Sequence, residues 1–544
     1  MLNKNESIPL TITALSNDGN GIGRYDGQAV FVPFTAVGDV LNVKIVKACK
    51  TYAFGILETI LTPGDGRCVP ACALFGKCGG CCFQHLTYTA ELQAKENFVR
   101  DALVHIGDIT APISPILAAP SDARYRNKVQ YPVFADENGV LRAGFFAGRS
   151  HRVIPCDDCM LQPALLNQIT AAICRILTQY GITAYKESTH TGLLRHIYLR
   201  HAADTNSVMV CLIVNGKKLP YSEDFCAALT AEFPQIATIL LNINKEKTNV
   251  ITGKKSLVLY GDGVLHDTLS GVPVALGPLS FYQVNTAGAN LLYRVIAKLA
   301  QPKITDTVLD LYCGAGTIGL SMAHACAKLI GVEIVPEAIE SAKQNATAMG
   351  ITHAEFLCAD AGTAAEKFAK SGLVPDIIVL DPPRKGCDNT TLEAVIQMSP
   401  ERVVMVSCNP ATAARDLQIL QKNGYNIEQV QPVDLFPKTR HVETVCLLSK
   451  LNVGHHIEVD LNMDELDLTS AESKATYDEI KEYVLAKNGF KVSNLYIAQV
   501  KEKVGIEKRQ NYNTSKKEDA KVPQCPADKE KVIEDALKHF GMIE

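Results

Sequence analysis

Residues 308–333, VLDLYCGAGTIGLSMAHACAKLIGVE, restrict the chain to few folds. A short apolar strand, VLDLYC, breaks at Gly314, Gly316 and Gly319; an amphipathic helix is expected next, then a second strand, LIGVE, ending on an acid. Glycines at a strand-to-helix turn let the backbone approach a ligand closely, and a helix start presents free N–H groups. Glu333 lies 19 residues beyond Gly314, about where a Rossmann-type unit holds a ribose with a carboxylate. The stretch therefore predicts a pocket for an adenosine-containing cofactor. The glycine pattern alone fits a nicotinamide dinucleotide equally well, so the rest of the chain must decide.

From about residue 266 to 450 the strand cores VLDLYC, LIGVE, AEFLCAD, DIIVLDPP and RVVMVSCNP alternate with helical segments. That alternation predicts an α/β domain built on a doubly wound parallel sheet. IEQVQPVDLF and ETVCLLSK then follow across a proline-containing turn and predict a hairpin at the sheet's edge. Seven strands with that ending resemble the Rossmann-like fold of S-adenosylmethionine-dependent methyltransferases more than a dehydrogenase.

A chain of 544 residues has room for about three or four domains. Residues 1–62 predict a small barrel: IPLTITAL, QAVFVPF and VLNVKIVKA alternate like strands, separated by turn clusters at NDGNGIGRYDG and VGD. The loop carrying Gly19, Gly21, Gly23 and Arg24 resembles the TRAM domain, an OB-like barrel that binds RNA; a barrel without a ligand has the same spacing. Residues 63–265 predict a central α+β region with a cysteine cluster, a helix over about 90–106 with Leu92, Val99, Leu103 and Ile106 on one face, and another over 163–180. Two basic-aromatic clusters, RYRNKVQY at 124–131 and LLRHIYLRH at 193–201, suit either RNA contacts or the exposed charges of an ordinary sheet. Residues 451–544 predict an acidic linker and a small helical extension, with Ile480, Tyr483 and Val484 on one helix face; it reads as an RNA- or partner-binding module or a solvated appendage.

The net charge of −4 gives no global basic signature, so nucleic-acid contacts must come from local patches. No apolar run reaches the ~18 residues that span a bilayer, and MLNKNESIPL lacks a signal-peptide core, so a cytoplasmic protein with no membrane partner is expected. In such a compartment, the 18 cysteines point to metal ligands or catalytic thiols rather than disulfides. Cys72, Cys78 and Cys81 have the spacing C-x5-C-x2-C, and Cys156 or Cys159 could complete a thiolate site for zinc or an iron–sulfur cluster. Cys68 and Cys82 are read as non-ligands.

Two strand ends carry the chemistry. Asp381-Pro382-Pro383-Arg384 would lie in the ligand crevice; adenine-amino methyltransferases have a similar D/N-P-P, but followed by an aromatic, and Arg384 argues against that reaction. Ser407-Cys408-Asn409-Pro410 places a thiol at the same edge, where a helix start would help to stabilise a thiolate nucleophile. Glu443, in TRHVETV on the last edge strand, is the candidate base.

SFYQVN, DLYCGAGTIGL, DPPRKG, SCNPAT and HVETV together resemble the motif set of the RNA (uracil-5-)-methyltransferase family. With the TRAM-like start and the cysteine cluster, residues 8–449 are most similar to its bacterial 23S ribosomal RNA branch; the tRNA-specific branch generally lacks barrel and cluster. The resemblance implies methyl transfer to uridine carbon 5, with Cys408 as nucleophile and Glu443 as proton acceptor. It implies an S-adenosyl-L-methionine site lined by Gln283, Tyr312, Glu333 and Asp381, and a 4Fe-4S cluster on Cys72, Cys78, Cys81 and Cys159. Cys387 departs from the pattern by adding a second thiol near the site. A monomer without an obligate protein partner is expected; a tRNA methyltransferase or a non-catalytic RNA-binding assembly factor are the alternatives.

Overall fold

The computed structural model describes residues 2–148, 150–451, 477–488, 492–504 and 525–540. They belong to two compact units, Met1–Asn452 and Val453–Glu544. The first is centred on a seven-stranded sheet: β1 (Thr307–Leu311), β2 (Lys328–Glu333), β3 (Ala354–Cys358), β4 (Ile377–Leu380), β5 (Arg402–Ser407), β6 (Tyr425–Val433) and β7 (Glu443–Lys450). Their spatial order is β3-β2-β1-β4-β5-β7-β6. The first five are parallel, and β7 runs antiparallel to both β5 and β6. The predicted hairpin forms, but the strand of Glu443 is not the edge. It inserts between β5 and β6, and β6 takes the outside.

The central strands β1, β4 and β5 are apolar on both faces because both faces are covered. Val308 packs into one cluster and Leu309 and Leu311 into another on the opposite side. The first cluster continues into a second seven-stranded sheet through Tyr198, Met209, Cys211 and Ile213. The second takes in Val99, Ala102 and Leu103 of the helix Tyr88–His105. Thr87 caps that helix by accepting from the Ala90 amide. Ile106 lies beyond its end and is exposed, while Glu91 and Lys95 stand on the buried face. The following segment shields the outer edge of β6, where Ser114 and Leu117 donate to Val430 and Pro432 carbonyls.

The N-terminal strands close into a five-stranded barrel. The expected turn NDGNGIGRYDG is largely a strand, Asn20–Tyr25, paired on both sides. Its glycines serve close approach: a Cβ on Gly23 would lie 2.5 Å from the Thr11 carbonyl oxygen. The 193–201 cluster also differs from expectation, since Arg195, His196 and Arg200 are buried. Arg195 donates to the Asn244 and Glu246 carbonyls, and Arg200 to the Tyr198 hydroxyl and the Ser280 carbonyl. These arginines hold loops together inside the protein.

In the second unit, the helices Tyr477–Asn488, Asn494–Lys503 and Ala527–His539 pack around Ile480, Val484, Ile497, Val500, Ile533 and Leu537. Tyr483 packs against this core, as its helix face predicted. The acidic linker and the polar stretch 508–524 lie outside the described residues. Among the described residues no helix is long and apolar enough to cross a membrane.

Candidate active site

The strand register builds the site at the carboxyl edge of the sheet. Leu311 pairs with Val332 on one side and Leu380 on the other. The residues that follow, Tyr312, Glu333 and Asp381, lie at the carboxyl ends of these three adjacent strands. On the next strand pair Ser407 faces Thr444. Extending that antiparallel register by one residue sets Cys408 opposite Glu443. Across adjacent strands, such positions are about 5 Å apart at Cβ.

Local structure fixes each group. After β1 the backbone enters the left-handed region at Tyr312 (φ 69°), Gly314 (φ 55°) and Gly316 (φ 77°), which turns the chain under the crevice. A Cβ on Gly314 would meet nothing within 4 Å, so space opens above that glycine. Glu333 accepts from the Gly314 amide (3.2 Å) and the Val335 amide (2.9 Å), fixing its carboxylate beside the turn. The helix that follows is short, Thr317–Met322, and passes into a single 3-10 turn. Buried Asp310 ties it down by accepting from the Gly319 amide at 2.9 Å. Burial pushes Asp310 up to about 8. The acid inside the apolar run VLDLYC is the signal that could have marked it.

Cys408 is half-buried and directly precedes Asn409, which caps the helix Pro410–Lys422. Asn409 also donates to the Arg384 carbonyl at 3.1 Å, joining the two loops. The expected thiolate stabilisation by the helix start is outweighed: burial, then the Glu443 and Asp381 carboxylates, push the thiol up to about 11, with Arg384 opposing. Glu443 is buried; that burial and Asp381 raise it to about 8, again against Arg384. Burial raises Asp381 to about 7. Arg384 is thus the cation that both Cys408 and Glu443 sense, a position that sequence reasoning left without a role.

Gln283 belongs to the SFYQVN loop, which neighbouring elements pin. Its carbonyl accepts from Asn127 (2.9 Å), Tyr282 donates to Asp267 (2.8 Å), and Asn285 donates to the Leu435 carbonyl (2.9 Å). Cys387 is buried; burial pushes its thiol up to about 12, and Tyr312 lies against it. That thiol is walled off, unlike Cys408.

Cys72, Cys78, Cys81 and Cys159 share one neighbourhood. Burial and the other thiols of the set raise Cys78, and raise Cys81 to about 12. The Cys156 thiol donates to Cys159 and, with the Leu161 amide, Arg126 and Arg124, holds the Cys159 thiol below its ordinary value. Among the described residues, however, no group of three or more His, Cys, Asp or Glu is gathered tightly enough to hold a metal ion.

Comparison with known proteins agrees with this architecture. A family model described as tRNA (uracil-5-)-methyltransferase matches residues 277–451, and a TRAM domain model matches residues 2–57. A relative from Halalkalibacterium halodurans, named an uncharacterised RNA methyltransferase, is 40% identical over 452 residues, 83% of this chain and 98% of its own length. Another so named, from Listeria innocua, is 39% identical over 449 residues, 82% of this chain and 99% of its own. Among solved structures, the Pyrococcus abyssi tRNA (uracil-54, C5)-methyltransferase in complex with S-adenosyl-L-homocysteine matches with a TM-score of 0.65 and 24% identity, covering 81% of this chain and 100% of that one. That last likeness concerns the fold. Relatives of 39–40% identity, matched along nearly their whole length, show that the chain belongs to the RNA (uracil-5-)-methyltransferase family and is an S-adenosylmethionine-dependent RNA methyltransferase with an N-terminal TRAM barrel.

Proposed function

We propose that this protein methylates carbon 5 of uridine in 23S ribosomal RNA, with Cys408 as nucleophile and Glu443 as proton acceptor. The reading is supported by the pairing of Ser407 with Thr444, one residue short of Cys408 and Glu443, and by the Glu443 carboxylate's effect on the Cys408 thiol. S-adenosylmethionine, held by Gln283, Tyr312, Glu333 and Asp381, supplies an electrophilic methyl group. Carbon 5 of uracil is too weak a nucleophile to take it unaided. Cys408 gives its proton to solvent and bonds through Sγ to carbon 6, so the electrons of the 5,6 double bond move onto the ring carbonyl as an enolate; its carbon 5 then attacks the methyl group, whose bond to the sulfonium breaks to leave S-adenosylhomocysteine. Glu443 then takes the carbon 5 proton; the freed pair restores the double bond as the carbon–sulfur bond breaks and the thiolate leaves. The target base must leave its stack to reach these groups, so a loop or locally melted uridine is the expected substrate.

Cys408→Ala should abolish methylation while RNA binding persists, and Glu443→Gln should accumulate a covalent enzyme–RNA adduct that survives a denaturing gel. Tritiated methyl incorporation into unmodified 23S RNA and into tRNA decides the substrate. Incorporation into tRNA alone would transfer the reading to that RNA, and none into either would leave a binding or assembly factor.

The thiolate-only set Cys72, Cys78, Cys81 and Cys159 is further read as the ligands of a structural 4Fe-4S cluster that ties residues 72–81 to 159. Iron and sulfide analysis of anaerobically purified protein tests this, and stoichiometric zinc would refute it. A cytoplasmic location fits an RNA substrate of this kind.

A further inference from the structure

The turn 434–442 leads directly into Glu443, and residues far from it in sequence grip its successive carbonyls. Leu435 accepts from Asn285 (2.9 Å), Phe436 from Lys95 (3.1 Å), Pro437 from the Tyr125 hydroxyl (2.9 Å), and Lys438 from the Cys82 and Phe83 amides (3.0 and 3.2 Å). At the centre is a charge cluster from which water is excluded. The side chains of Lys95, Glu91 and Asp434 are all 0% exposed, with Lys95 Nζ 2.8 Å from Glu91 and 2.7 Å from Asp434. Both carboxylates also hold the turn's backbone: Glu91 accepts from the Lys438 amide (2.6 Å) and Asp434 from the Phe436 amide (3.1 Å). Lys438 itself sits in the left-handed region at φ 66°, a conformation the surroundings must enforce.

A buried ion cluster is a poor device for stability, because apolar replacements of similar volume are often as stable or more so. Its effect is to specify one arrangement. Here that arrangement is of the backbone that presents the proton acceptor to Cys408. We propose that Lys95, acting through Glu91, Asp434 and the Phe436 carbonyl, is a positioning residue that holds Glu443 over the carbon 5 proton in the methylated adduct.

The proposal rests on the mechanism above, and it predicts which step suffers. Bond formation by Cys408 and arrival of the methyl group do not need Glu443; loss of the carbon 5 proton does. Lys95→Met should therefore slow turnover by about 100-fold, the order expected when a reacting group is displaced by about 1 Å. It should also accumulate a denaturation-resistant enzyme–RNA adduct carrying tritiated methyl, at least tenfold above the parent protein. Asp434→Asn, which keeps its shape and its acceptor oxygen, should show the same adduct more weakly, and it carries the test should Lys95→Met fail to fold. Thermal melting and binding of tritiated S-adenosylhomocysteine check that the folded site is intact. A folded, cofactor-binding variant that turns over slowly without methylated adduct, or at the parent rate, overturns the assignment. Glu443→Gln assayed alongside separates the two ideas: if it too forms no adduct, the base assignment is wrong, whereas adduct there and none in the Lys95 and Asp434 variants sinks the positioning role alone.

Discussion

Burial raises both Cys408 and Glu443 above their ordinary values. Each is partly or wholly buried, each senses Asp381, and the acid raises the thiol further. Positive charge offsets this: Arg384 already opposes both shifts, and a sulfonium cation in the crevice would add to it. The same burial has a stability consequence. Folded Glu443 keeps its proton up to about pH 8, whereas the unfolded carboxyl releases it near 4.5. Between those values the folded state binds more protons, so this group's contribution to stability declines as pH rises. Glutamine does not titrate. Relative to their gap at pH 4, Glu443→Gln should gain roughly 2–4 kcal/mol over the parent at pH 9 in denaturant melts; a gap independent of pH would show that Glu443 is not held protonated.

The elements around the site are joined by charges at their ends. Between the barrel and the cysteine segment, Arg67 donates to both Asp39 oxygens, at 2.9 and 2.6 Å, and to the Phe34 carbonyl at 2.9 Å. Burial alone would push Asp39 up, but Arg67 and the Ala36 and Gly64 amides outweigh it and hold the carboxyl below its ordinary value. Its stabilisation is therefore present above the unfolded carboxyl's pKa and lost as pH falls through the folded one. Arg67→Ala leaves a fully buried carboxylate without its partner and should cost about 3 kcal/mol at pH 7. Thermal melts down to about pH 3 should show the deficit shrinking; a deficit that grows on acidification would refute the pairing. Because the barrel strands pack on their own core of Ile8, Leu10, Val30, Leu41 and Val43, binding of S-adenosylhomocysteine should be unaffected.

For the whole molecule, two compact units divide at Asn452 and Val453. The relatives align over 82–83% of this chain and 97–99% of themselves, and the helical unit beyond Val453 has a hydrophobic core of its own. A chain truncated after Leu451 should keep its cofactor affinity and its tritiated methyl incorporation within about twofold of the full chain, given that surface changes distant from the site shift free energies by under ~0.5 kcal/mol; loss of either would make the tail part of the machinery. Much of the fold is readable in the chain because its signals are local. The period-two runs of the barrel, the glycine turn at 314–319 and the acid at 333 depend on near neighbours, and the strand ends at Asp381 and Cys408 follow from them. The sequence by itself determined these elements. Tertiary structure alone decided that β7 inserts between β5 and β6, that Arg195 and Arg200 turn inward, and that the helix Tyr88–His105 packs on the catalytic sheet. It also decided the protonation of Cys408 and Glu443, since the desolvation and charges that shift them come from residues far apart in the sequence, which no local pattern records.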